Sequence, residues 1–212
     1  MAKTKIYLYT RFERFWHWLQ AIIIFVLLLT GFEVHGTYSL LGFHTAVRIH
    51  NAFGFGWVVL FAFIIFWVFT TGEWKQYIPT SKKLWEVVRY YTSGIFQGKP
   101  HPVQKTKEAK HNPLQRLTYL ALTAVLLTLQ MGTGLLYYLY NDWAVWGLTF
   151  LGLRTIALIH LACAFGILSF VIIHIYMTTT GHTLTSHIAA MISGWEEVDE
   201  HEVADWERAA RR

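Results

Sequence analysis

The sequence predicts an all-α membrane protein: a bundle of four transmembrane helices with both termini in the cytoplasm. Three observations carry that prediction. The 212 residues are 54% hydrophobic, with a mean hydropathy of +0.35, and only 15% are charged; a soluble domain carries about 25%. Four apolar runs, at about 16–34, 46–71, 117–140 and 153–178, each supply the ~20 residues needed to cross ~30 Å of hydrocarbon. In such a four-span chain every Lys and Arg except Arg48 and Arg154 falls on one side, which the positive-inside rule makes the cytoplasmic side. The net charge of +5 is thus an orientation signal. It implies no nucleic-acid partner, and the surface calls for membrane lipid.

The elements follow in order. Residues 1–15 form a basic, aromatic lead-in. The first run has no small-residue cleavage site after a short apolar core, so it reads as a retained span and not as a signal peptide. Trp16, Trp18, Trp57, Trp67 and Trp74 lie near span ends or along the spans, and several fit an interfacial aromatic belt. Span 1 ends near TGFEVHG, a short outer loop follows, and span 2 returns inward to TTGEWKQY. Within the cytoplasmic connection 72–116, residues 81–92 mix charge with Leu, Trp, Val and Tyr at helical spacing. That pattern predicts a short helix on the inner membrane face, broken by Gly94, Gly98, Pro100 and Pro102. Asn112 before Pro113 is a start signal for span 3. An outer loop around YNDWAVWG leads to span 4. The expected organisation is one domain over 1–195 and a charged tail over 196–212, read as a short helix. Cys163 is alone and mid-span, a packing residue that offers no disulfide or cysteine metal cluster.

Residues 159–174, IHLACAFGILSFVIIH, carry the functional signal. Of eleven histidines, His101, His111 and His201 lie in polar cytoplasmic segments, His182 and His187 follow span 4, and His35 and His44 flank the outer loop. His17, His50, His160 and His174 remain, within spans or at their edges. Ionisable groups in a membrane are costly and face the bundle interior with a partner. Span direction places His17 and His174 near the inner surface and His50 and His160 near the outer one, which gives two pairs. At ~100° and 1.5 Å per residue, His160 and His174 share one helix face about 21 Å apart. Gly31 repeats that interval after His17, Gly54 is one turn past His50, and Gly132 and Gly134 lie in the outer half of span 3. These glycines serve either close helix packing or room for a flat macrocycle.

Two neutral imidazoles at each of two depths suit haem iron, which takes two axial ligands. Structural zinc wants four ligands, and no carboxylate or thiol is available at these depths, Glu33 being at a span end. The reading is two six-coordinate b-type haems, one on His17 and His174 and one on His50 and His160. Covalent attachment is excluded by the lack of C-x-x-C-H. Four self-satisfied or proton-relay histidines are the cofactor-free alternative.

RFERFWHWLQAIIIFVLLLTGF, RIHNAFGFGWVVLFAFIIFWVF, IHLACAFGILSFVIIHIYM and GHTLTSHIAAMISGWEE together resemble the di-haem cytochrome b membrane subunits of respiratory oxidoreductases. That family includes the formate dehydrogenase gamma subunit, the b-type cytochrome of nickel–iron hydrogenase and the cytochrome b subunit of thiosulfate reductase. TGFEVHGTYSLLGFHTAVRIHN looks most like the last. The resemblance covers about residues 10–197 and implies the same four ligands. It also implies a quinone site (menaquinone or ubiquinone) beside the inner haem, near the start of span 3. An asparagine helps form that site in the formate dehydrogenase subunit, with a glycine two residues on; this chain has Asn112 and, in the glycine's place, Leu114.

The resemblance further implies a bacterial inner membrane and an extracytoplasmic redox partner: an iron–sulfur/molybdenum enzyme, a hydrogenase or a multihaem cytochrome c. Formate dehydrogenase and hydrogenase relatives reduce quinone and thiosulfate reductase relatives oxidise quinol, so the direction is open. A stand-alone di-haem cytochrome b oxidising a small species such as superoxide directly with quinone is the alternative, and a haem-free transporter or anchor is a second.

Overall fold

Thr10 and Glu13 start the first helix. The Thr10 N–H and hydroxyl donate to Glu13 Oε2 (2.8 and 2.9 Å), and the Glu13 N–H donates to Thr10 Oγ1 (3.3 Å). This is the reciprocal capping box of a T-x-x-E start. In the computed structural model, which describes residues 3–99, 101–103, 110–181 and 183–199, helix α1 therefore spans Arg11–Val34, beginning ahead of the apolar run at 16. Helix α2 covers Phe43–Thr71 and stops at Gly72, whose φ of 79° is a left-handed end. The turn between them is tied by buried Glu33, whose Oε1 accepts the N–H groups of Leu40, Leu41 and Gly42 at 2.8, 2.7 and 2.7 Å.

The third span, Pro113–Tyr138, opens on a second reciprocal cap. Gln115 N–H donates to Asn112 Oδ1 (2.8 Å) and Asn112 N–H donates to Gln115 Oε1 (3.0 Å). Its middle departs from α geometry: after Pro113–Ala121 comes a π segment, Leu122–Leu127, and α geometry resumes at Thr128–Tyr138. The Thr128 hydroxyl donates to the Thr123 carbonyl at 3.0 Å, satisfying a group that the wider turn loosens. The fourth span is Leu153–Thr178. Among the described residues these four helices are long and apolar enough to cross a membrane.

The chain forms two compact units. One consists of Phe15–Val68 and Leu122–His174 and holds most of all four spans. Its centre is Ile23, Trp57, Leu127 and Ile167, one residue from each span. Phe25, Val59, Phe63, Phe66, Ile172 and Ile173 point outward and are exposed, as a lipid-facing surface requires.

The other unit holds the remaining described residues. Here the structure adds what periodicity did not indicate, an antiparallel ribbon. Lys3–Tyr7 pairs with Trp195–Asp199 in the register Lys3↔Asp199 to Tyr7↔Trp195. The tail therefore begins as a strand and not as a helix, and the expected boundary at 195/196 falls inside it. Cross-strand pairs explain the strand: Tyr7 and Trp195 rings meet edge-on at 5.2 Å, and Lys5 and Glu197 lie 3.6 Å apart. The helix expected over 81–92 is shorter, Leu84–Arg89, continued by a π turn to Gly94 and a 3₁₀ turn to Gln97. Val87 is buried while Trp85 and Phe96 are exposed, an amphipathic arrangement. A further helix, Ser186–Ser193, precedes the second strand. Pro100, residues 104–109 with Lys105 and Lys107, His182, His201 and the tail from 200 onward lie outside the described residues.

In this unit Lys110 Nζ meets Glu13 Oε1 at 2.6 Å, with the two side chains 7% and 20% exposed. Breaking such a pair on one side costs about 3 kcal/mol, because the remaining charge stays buried. Lys110→Met is expected to destabilise by roughly that amount. Lys110→Met with Glu13→Gln should recover most of it, since glutamine keeps the capping box. Thermal unfolding of the purified variants in detergent measures both; equal losses in the single and double variants would contradict the pairing.

Candidate functional site

His17, His50, His160 and His174 all lie in the unit of Phe15–Val68 and Leu122–His174, and each is half-buried. The structure brings them together as two pairs. His17 on the first span and His174 on the fourth have ring centroids 6.1 Å apart at 52°; His50 on the second and His160 on the fourth are 6.3 Å apart at 78°. Ile167, midway in sequence between His160 and His174, belongs to the four-span apolar centre. It stands about two turns, or ~10 Å, from each histidine.

The two pairs differ in their surroundings. His50 Nδ1 lies 3.0 Å from Thr30 Oγ1. His160 Nδ1 donates to the Gln130 carbonyl at 3.1 Å and lies 3.2 Å from Thr133 Oγ1. Gln130 Nε2 donates to His160 Nε2 at 3.1 Å, which marks that nitrogen as the lone-pair side. In the other pair His174 stacks on Phe170 at 5.7 Å and 12°, while His17 Nδ1 is buried with no hydrogen-bond partner among the described residues.

The residues fit a metal held by two imidazoles. Nitrogens bonded on opposite sides of one metal, each about 2 Å away, put ring centroids roughly 6 Å apart, close to the spacing of both pairs. Gln130 Oε1, at the His50–His160 pair, is buried without a partner among the described residues, which is unusual in a packed interior and suits a site that takes a further group. The Gln130 amide has to turn off His160 Nε2 to admit it. Among the described residues no three His, Cys, Asp or Glu side chains converge, so these pairs offer two ligands each and not a zinc-like set of four.

Two of the four singled-out glycines press on the histidines. A Cβ on Gly31 would lie 3.1 Å from His50 Cε1, and one on Gly134 would lie 3.0 Å from His160 Cε1. Gly54 and Gly132 would meet nothing within 4 Å. Thr30, Gln130 and Thr133 went unnoticed in the sequence reading. The signal for the threonines was a Thr-Gly dipeptide at 30–31 in span 1 and again at 133–134 in span 3.

Asn112 lies in the other unit and is buried. Beyond its cap, its Nδ2 donates to the Tyr91 hydroxyl at 3.2 Å. Burial holds the Tyr91 phenol above its ordinary value despite that bond. His111 lies between the Tyr77 and Tyr119 rings, with centroids 5.2 and 5.1 Å away. Burial, and then Glu13, Tyr119 and Glu73, push Tyr77 up to about 12. Tyr77 and Tyr91 therefore stay protonated near neutral pH and keep O–H donors around the start of span 3.

The family model for prokaryotic cytochrome b561 matches residues 8–194. A curated protein of Escherichia coli K12, named "Putative cytochrome YdhU", is 35% identical over 202 residues, covering 90% of this chain and 74% of the relative. No solved structure matches the chain.

Proposed function

Because the chain belongs to the prokaryotic cytochrome b561 family, a membrane b-type cytochrome of electron transfer, we propose that it carries two b haems and links a redox partner to the quinone pool. One haem is held by His17 and His174 and the other by His50 and His160. The observation that carries this is the pair of facing imidazole couples at 6.1 and 6.3 Å. Family membership sets aside the haem-free transporter or anchor.

Bound this way, a bis-imidazole haem supplies reversible one-electron transfer and leaves no open iron position for a substrate. The protein's own part is to bind, orient and seal. Thr30, Thr133 and the Gln130 carbonyl fix two of the rings. Ile23, Trp57, Leu127 and Ile167 keep water from the layer between the pairs, and lipid-facing apolar side chains isolate the whole from solvent. The charge bias of the loops supports termini in the cytoplasm of a bacterial inner membrane, with the partner on the far side. That partner is an iron–sulfur/molybdenum enzyme, a hydrogenase or a multihaem cytochrome c in this reading.

Asn112, with Tyr91, is the proposed quinone contact, an amide and a phenol offering N–H and O–H groups to a quinone carbonyl. Asn112→Ser keeps a competent N-cap but removes the amide donors. It should slow haem reduction by added menaquinol or ubiquinol analogues roughly threefold to tenfold, the worth of one hydrogen bond. Stopped-flow absorbance of the chain in liposomes reads this directly. Fast dithionite reduction with no reduction by either quinol would remove the quinone link.

A further inference from the structure

The Thr-Gly dipeptides of spans 1 and 3 make the same contacts twice. Thr30 Oγ1–H donates to the Val26 carbonyl one turn back at 2.7 Å, and Thr133 Oγ1–H donates to the Leu129 carbonyl at 2.6 Å. With its proton committed, each hydroxyl oxygen faces an imidazole Nδ1 as an acceptor, His50 at 3.0 Å and His160 at 3.2 Å. At His160 the carbonyl three residues before the threonine, that of Gln130, joins in at 3.1 Å. A carbonyl only accepts, so Nδ1 of His160 carries the ring's proton and Nε2 the lone pair. The glycine after each threonine lets the ring edge approach: added Cβ atoms would sit 3.1 and 3.0 Å from the two Cε1 atoms. Thr30 and Thr133 are 1% and 5% exposed, so water does not compete for these bonds. Each clamp is internal to one helical hairpin, spans 1–2 for His50 and spans 3–4 for His160.

Among the described residues the His17–His174 pair has no counterpart. His17 Nδ1 is buried without a partner among the described residues, and the aromatic rings against the two histidines are Trp18 and Phe170. We infer that Thr30–Gly31 and Thr133–Gly134 are matched positioning clamps. They hold His50 and His160 in the Nδ1–H form and set the haem of that pair at a lower reduction potential than the haem of the unclamped pair. The inference rests on the bis-histidine reading above. Its physical basis is general: a ligating imidazole that donates its other N–H to an acceptor becomes a more basic ligand, and a more basic axial ligand favours the oxidised iron.

The test is a spectroelectrochemical titration of the purified holoprotein, each haem being assigned by its loss in His50→Ala or His17→Ala. In the wild type, the haem lost with His50 should be the one of lower potential. Thr30→Val with Thr133→Val removes both hydroxyls at nearly constant volume. It should raise the reduced-to-oxidised ratio of that haem at fixed ambient potential by threefold to about tenfold, a tenfold change being about 59 mV for one electron. The other haem should not move. Each single Val variant should shift less, because the other histidine of the pair keeps its hydroxyl acceptor, and Thr30→Ser with Thr133→Ser should restore the wild-type potential. An unchanged potential in the double Val variant would overturn the clamp while leaving the ligand assignment standing. So would an equal shift of both haems, or a Ser variant that behaves like Val. A wild-type chain with no haem that depends on His50 would overturn the ligand assignment itself, and the clamp's role with it.

Discussion

His160→Ala is expected to lower haem content from two per chain to one and to leave the haem of His17 and His174 in place. Truncation removes one of two iron ligands from the His50–His160 pair and strands Thr133 and the Gln130 carbonyl without their donor. Loss of a group that merely orients a ligand already costs 10- to 100-fold in metal affinity, so loss of the ligand itself should empty the site. Independence of the other pair follows from distance. His160 and His174 are about 21 Å apart along one helix, with the layer of Ile23, Trp57, Leu127 and Ile167 at the centre of the unit. Effects at sites farther apart than about 10 Å are normally additive. His50→Ala should match His160→Ala, and His17→Ala should match His174→Ala with the complementary haem lost. Haem quantified per polypeptide decides it: two haems retained in His160→Ala contradicts the pairing.

Gly134→Val should nearly abolish the same haem, and Gly31→Val should do so to a similar degree. At 3.0 and 3.1 Å from the Cε1 atoms, even a methyl group forces each ring to give way by a few tenths of an ångström. Valine's branch enlarges that shift and pulls Nδ1 off its threonine. Helix propensity argues the other way, since glycine in a helix interior is less stable than alanine by roughly 0.5–1 kcal/mol. A loss therefore reports the steric contact and not a weakened helix. Gly132→Ala and Gly54→Ala, with nothing within 4 Å, are the controls and should retain both haems. Equal haem loss in controls and Val variants would mean that the glycines serve general packing.

Much of this was legible in the sequence. Hydropathy alone located the four spans, because lipid demands long apolar helices. The start of α1 was placed late because Thr10 and Glu13 sit in a polar stretch, where hydropathy is silent and only the T-x-x-E cap speaks. The pairing of the histidines was legible from depth, a one-dimensional quantity. What touches each Nδ1 was not, since rotation of one helix against another is set by packing. Of the glycines on plausible faces, only Gly31 and Gly134 meet a ring, while Gly54 and Gly132 do not. The ribbon of Lys3–Tyr7 and Trp195–Asp199 joins segments from opposite ends of the chain. Its acidic strand has no apolar alternation to announce it, so the tail read as a helix.

The most direct measurement is a dithionite-reduced minus oxidised spectrum of the purified chain, with haem quantified per polypeptide. Two low-spin b haems per chain is the predicted result, with one haem lost in His50→Ala and the other in His17→Ala. A single haem that survives replacement of either member of one pair, or high-spin iron with an open coordination position, would contradict the two bis-histidine sites.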